Sequence, residues 1–123
     1  MPAPRPTVFR VDKFHVPESS RRAFIARLRA VHAFLDQSDG CLQNHVLEQV
    51  SGSGRYNVVT LVEWRDEASY AAAREAAAAR YRAEGAEPQA ILADLGIDAD
   101  LGIYHAVGVQ LDHRAGPADA PTS

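Results

Sequence analysis

The sequence predicts an α+β domain in the ferredoxin-like order strand, helix, strand, strand, helix, strand, with one four-stranded antiparallel sheet and both helices on one face of it. Three observations predict this. Residues 56–64, YNVVTLVEW, read as a strand with two largely apolar faces: Val58, Thr60, Val62 and Trp64 on one, Asn57, Val59, Leu61 and Glu63 on the other. Only two substantial stretches have helical periodicity, and two helices cover one face of a small sheet. Residues 51–54, Ser-Gly-Ser-Gly, form a connector of hairpin length, which makes the strands on either side of it neighbours. The face that the helices leave open must close over a ligand, a second sheet or a second copy of the chain, which points to a dimer and a cavity.

Residues 1–6 carry three prolines and read as a flexible arm. Thr7 to Val16 is the first strand, with Phe9 and Val11 on one face, followed there by Lys13 and His15, and Val8, Phe14 and Val16 on the other. Pro17 ends it, and Glu18-Ser19-Ser20 supply an entry cap for a helix from Ser19 to Leu35. Phe24, Leu28, Val31 and Leu35 form that helix's core stripe, with His32 beside it. Asp39-Gly40 turns into the second strand, Cys41 to Val50, both faces of which are mixed. After the central strand, Asp66 caps a helix from Glu67 to Ala83. Its Tyr70, Ala73, Ala77 and Tyr81 line one side, and the row of small residues predicts close approach to the sheet. Arg74, Arg80 and Arg82 read as a solvated face. Gly85 stops the helix, and Pro88 starts a short one through Leu95. Leu101 to Val109 is the last strand, and residues 110–123, rich in alanine, proline and glycine, read as a disordered tail.

At 123 residues the chain is one domain, and 46% apolar with 24% charged residues is ordinary for a soluble globular protein. A net charge of −3, with dispersed basic residues, gives no footprint for nucleic acid. No apolar run approaches the length that spans a membrane, and the start lacks the apolar core of a signal peptide. The single Cys41 excludes an internal disulfide framework and fits a reducing compartment, so the expected location is the cytoplasm. Abundant alanine and arginine, with Lys13 the only lysine, suit a GC-rich bacterial genome. Phosphate loops, dinucleotide fingerprints, cysteine-rich metal sites and nucleophile elbows are absent from the sequence.

Three segments carry a resemblance: VDKFHVPE at 11–18, TLVEWRDEASYAAA at 60–73, and YRAEG at 81–85 with Pro88. Over residues 7–109 the chain resembles the antibiotic biosynthesis monooxygenase family, small dimeric α+β barrels related to quinol and anthrone monooxygenases. The resemblance implies two sheets packed face to face in a homodimer and a pocket between each sheet and its helices. It also implies that no metal or flavin cofactor is needed, because a deprotonated phenol or anthrone passes an electron to oxygen directly. Trp64 and Tyr70 keep the six-residue spacing of the tryptophan and tyrosine that frame the pocket of anthrone-oxidising relatives. Thr60 stands where those relatives have an asparagine, and Glu84 near their arginine, with Arg80 and Arg82 close by. Haem-degrading relatives need an asparagine in the first strand and a histidine in the second helix. Here Asp12 or Lys13 and Arg74 stand in those places, against haem.

The candidate site residues follow. Trp64 either caps the core or lines the pocket, and Tyr70 either donates to a substrate oxygen or packs with its hydroxyl at the surface. His105, on the face of Ile103 and Val107, and His15, near a strand end, are candidate bases. His32 is a candidate for facing the same cavity, and Asn44 for orienting a ligand oxygen or bonding across the dimer. The expected activity is cofactor-independent monooxygenation of a quinol, anthrone or polyketide-like aromatic with molecular oxygen. A non-catalytic ligand-binding or stress-response barrel, and an isomerase or cyclase, remain as alternatives.

Overall fold

The computed structural model describes residues 6–107; the flexible arm expected before residue 6, the end of the last strand at Val109 and the disordered tail expected over 110–123 lie outside that range. Four strands form one antiparallel sheet: β1 (Val8–His15), β2 (Cys41–Glu48), β3 (Val58–Trp64) and β4 (Asp98–Tyr104), in the order β2-β3-β1-β4. Three helices, α1 (Glu18–Leu35), α2 (Glu67–Glu84) and the short α3 (Pro88–Asp94), complete the ferredoxin-like α+β fold.

Register fixes which side chains meet the helices. Val8 lies opposite Trp64, Arg10 opposite Val62, Asp12 opposite Thr60 and Phe14 opposite Val58. These residues share one face, because side chains alternate along a strand. Phe14 and Val58 bury with Phe24 and Leu28 of α1, and Phe14 meets Phe24 edge to face. Val8, Val62 and Trp64 bury with Leu35 of α1 and with Tyr70 and Ala73 of α2 alongside. Both helices therefore cover the same face.

The opposite face carries Phe9 and Val11 of β1, Val59 and Leu61 of β3, Leu47 of β2 and Tyr104 of β4. Leu47 and Tyr104 are about half exposed. Among the described residues no helix lies over this side, which is the open apolar face expected from the central strand.

Several boundaries move, each for a local reason. The central strand begins at Val58, and the Asn57 side chain just before it clamps Val16, the residue after β1. Its amide accepts from the Val16 backbone N–H and donates to the Val16 carbonyl, both at 2.9 Å. The cap expected from Glu18-Ser19-Ser20 is not made. Pro17 occupies the cap position without a side-chain bond, and the Ser20 hydroxyl donates to the Leu95 carbonyl at 2.7 Å, tying α1 to the end of α3. By contrast Asp66 caps α2 through the Ser69 N–H at 2.8 Å, and Gly85 ends it with φ 68°. The second strand stops at Glu48, and the last runs Asp98–Tyr104 rather than from Leu101. Gly40, at φ 88°, has no room for a Cβ, which would collide with the Ser69 side chain.

The expected close approach of the alanine stripe to the sheet forms only at its start, where Ala73 packs against the Val8, Val62 and Trp64 cluster. No residue of α2 is buried, and Ala73, Ala77 and Ala78 border an open cavity. Tyr70 and Tyr81 border the same cavity from either end of that stripe. Among the described residues no helix is long and apolar enough to cross a membrane.

Candidate functional site

The cavity has a volume of about 470 Å³ and lies between the helices and the covered face of the sheet. Its floor is the pair of central strands: Thr60, Val62 and Trp64 from β3, with Arg10 and Asp12 from β1. Leu28, Val31 and His32 of α1 form one wall, Tyr70 and the alanines of α2 the other, and Ile91 and Leu92 of α3 an end. The lining is mainly apolar with a few polar groups, the composition of a small-molecule site.

The polar groups are organised on the floor. Arg10 Nε donates to Asp12 Oδ1 at 2.6 Å, and Arg10 Nη1 donates to the Tyr70 hydroxyl oxygen at 2.8 Å. Burial works against the guanidinium charge, but the hydrogen bond and charge of Asp12, with Tyr70 beside it, more than offset that and raise the Arg10 pKa above its ordinary value. Arg10 is therefore a fixed cation in the cavity. Because the Tyr70 oxygen accepts from Arg10, the phenolic proton is free for another acceptor, and the cation makes it a stronger donor. The Arg74 guanidinium lies 5.8 Å from the centre of the Tyr70 ring. Arg74 thus borders the cavity rather than belonging to a wholly solvated face.

The sequence-derived candidates separate into two groups. Trp64 is only 3% exposed and lines the cavity as well as closing the core, with its ring 6.5 Å from that of Tyr70. Tyr70 and His32 also line it. Asn44 does not line it. Its amide donates to the His32 carbonyl at 2.6 Å and to Asp36 at 3.0 Å, and its oxygen meets His32 Nδ1, so its bonds are spent within the chain rather than on a ligand or across a dimer. His15 is on the other side of the sheet, because strand parity gives it the face of Phe9 and Val11, opposite Asp98. His105 follows the end of β4, half exposed, with Nε2 4.0 Å from Glu67. Neither His15 nor His105 borders the cavity. Cys41 packs against the Trp64 cluster.

Arg10 and Asp12 are the functional candidates that residue-type reasoning passed over. Their signal was present: both fall between Val8 and Phe14 on the buried parity of a central strand, where two charges need a reason.

Residues 7–83 match the family model for antibiotic biosynthesis monooxygenase. Solved structures share the fold at low identity. A Shewanella loihica protein provisionally assigned as a monooxygenase is 20% identical, with 87% of this chain and 100% of that one covered at a TM-score of 0.64. SnoaB, a cofactor-independent oxygenase from Streptomyces nogalater solved as a point mutant, is 17% identical, with 86% and 98% covered at 0.57. A haem-degrading protein of Mycobacterium tuberculosis, solved free of haem, is 16% identical, with 87% and 97% covered at 0.56. Among curated proteins none matches the chain.

Proposed function

The chain belongs to the antibiotic biosynthesis monooxygenase family, and from that premise we propose that it oxidises an electron-rich quinol, anthrone or polyketide-like aromatic with molecular oxygen and no cofactor. The observation that carries the proposal is the pairing of a largely apolar cavity of about 470 Å³ with the Asp12–Arg10–Tyr70 chain on its floor. Such a cavity suits a fused aromatic, and the tyrosine and arginine suit an oxygen that becomes negative during reaction. The fold shared with SnoaB adds support.

For an anthrone the chemistry runs as follows. A base takes a proton from the activated methylene, and the electron pair spreads into the ring system and onto its carbonyl oxygen. Tyr70 O–H and Arg10 stabilise that oxygen. The carbanion gives one electron to O₂, and the resulting radical pair joins as a C–O–O⁻ peroxide, which takes a proton. Loss of the remaining methylene proton and of hydroxide gives a carbonyl and water. One O₂ is consumed per CH₂ converted to C=O, with one oxygen atom in each product and no outside reductant. Trp64 and the alanine face of α2 give the ring system apolar surfaces to lie against, which orients it towards the polar floor.

The open apolar face of the sheet, around Val11, Leu47, Val59 and Leu61, is the proposed homodimer interface. The test of function is oxygen uptake by chelator-treated protein with anthrone and reduced naphthoquinones, corrected for autoxidation. Saturable uptake is expected. Tight binding of these aromatics with uptake no faster than autoxidation would reject the oxygenase.

A further inference from the structure

The base has no assignment in the reading above, and a hydrogen-bond network on the α1 wall supplies one. We propose that His32 is the catalytic base, acting through Nε2, and that Asn44 is a positioning residue that fixes the imidazole in the required tautomer; this deepens the proposed function and rests on its cavity being the reaction site.

The Asn44 amide sets the orientation of the network. Its Nδ2 donates to two groups, the His32 backbone carbonyl at 2.6 Å and the Asp36 Oδ1 at 3.0 Å. A carbonyl oxygen and a carboxylate accept and do not donate, so the NH₂ end of the amide must be the one that meets them. The amide oxygen is then the atom that faces His32 Nδ1. An amide oxygen also only accepts, so Nδ1 must carry the proton. In the neutral imidazole this leaves the lone pair on Nε2.

Among the described residues nothing else takes that lone pair. His32 lines the cavity, and no hydrogen bond to Nε2 is made by any described residue. The ring is therefore clamped at one nitrogen by the β2 edge strand and basic at the other. The same clamp holds the cation once Nε2 has taken a proton, since Nδ1–H keeps its acceptor. His32 stands on the α1 wall, while Tyr70 and Arg10 reach the cavity from α2 and β1. A substrate between them would lose its proton to one wall while its oxygen is held by the other. The proton passes from substrate carbon to Nε2, and the electron pair stays on the substrate.

The experiment separates this base from the oxygenase. Nitrogen-15 spectra of the imidazoles in the full chain report the tautomer of His32, assigned by comparison with His32→Gln. Under anaerobic conditions in D₂O, proton spectra of anthrone report methylene exchange catalysed by the protein, without any oxygen chemistry. The expected results are an Nδ1-protonated His32, exchange above the buffer rate, and a loss of about 10²-fold or more in His32→Gln. Asn44→Leu is expected to release the tautomer and slow exchange about tenfold, a partial loss on the scale of a positioning partner. The double variant Asn44→Asp/Asp36→Asn keeps an acceptor for Nδ1 and is expected to restore both readouts. A neutral His32 protonated at Nε2 overturns the proposal, as does undiminished exchange in a folded His32→Gln or bound anthrone that does not exchange. Exchange that depends on His32 without oxygen consumption in air would leave the base standing and remove only the oxygenase.

Discussion

Breaking the Arg10–Asp12 pair tests whether the floor of the cavity is a built electrostatic unit. The two side chains are 28% and 17% exposed, so the pair is neither a surface bridge nor a fully dry one. Removing one partner of a buried pair costs about 3–5 kcal/mol, and an exposed pair contributes about 0–1 kcal/mol. In Asp12→Leu the guanidinium would keep its bond to Tyr70 and would gain water through the cavity. The expected loss is therefore intermediate, about 2 kcal/mol. Arg10→Met should cost about the same, because it leaves the Asp12 carboxylate on an apolar floor. The double variant removes both charges and is expected to cost less than the sum of the singles, with a coupling of about 1–2 kcal/mol. Urea unfolding of all four proteins at one protomer concentration measures this, since self-association shifts apparent stability. Single losses that add to within about 0.5 kcal/mol would refute the claim that Asp12 holds the Arg10 charge in place.

Other outcomes follow from the same geometry. Tyr70→Phe removes the donor aimed at the developing oxyanion, and kcat should fall about 10²-fold with little change in KM, read by steady-state oxygen uptake. Leu61→Asp puts a charge in the middle of the open sheet face, and sedimentation velocity should show the proposed dimer in the parent protein and monomer in the variant; a dimer unchanged by the substitution would rule that face out as the interface. Burial, then the nearby charge of Asp36, raises the Cys41 thiol pKa. Below that raised value the folded protein holds less thiolate than the unfolded chain, so iodoacetamide should alkylate Cys41 more slowly in buffer than in urea at the same pH. The difference should close as pH rises through the folded value, where this thiol's contribution to stability is also lost.

The fold was legible because its signals are local. The two apolar faces of residues 58–64, the stripe of Phe24, Leu28, Val31 and Leu35, and the Asp66 cap each specify an element from adjacent residues. Trp64 and Tyr70 were legible as a pair through the resemblance, since they keep the six-residue spacing of the anthrone-oxidising relatives, and His32 from its place beside a core stripe. The rest depends on contacts distant in sequence. Asn44 matters because β2 brings it to α1, and a strand pattern alone does not say which helix lies across from it. The alanines of α2 were expected to lie close against the sheet, yet a row of small residues also suits the wall of a void. What decides between these is the third dimension, where Tyr70 and Tyr81 stand beside them. His15 and His105 drew attention as histidines on apolar strands, yet the sheet has two faces and an end, and only one face meets the cavity. Arg10 and Asp12 carry the converse lesson: a charge on the inward parity of a central strand is a stronger functional sign than residue type.

The most direct test of cofactor-independent oxygenation is to follow labelled oxygen. Chelator-treated protein would convert anthrone under ¹⁸O₂ without added reductant, with the product analysed by mass spectrometry and oxygen consumption recorded. One O₂ consumed per anthrone, one labelled atom in the new carbonyl and no hydrogen peroxide are expected. Hydrogen peroxide released in place of labelled product, or turnover only after a metal or flavin is added, would rule out cofactor-independent oxygenation.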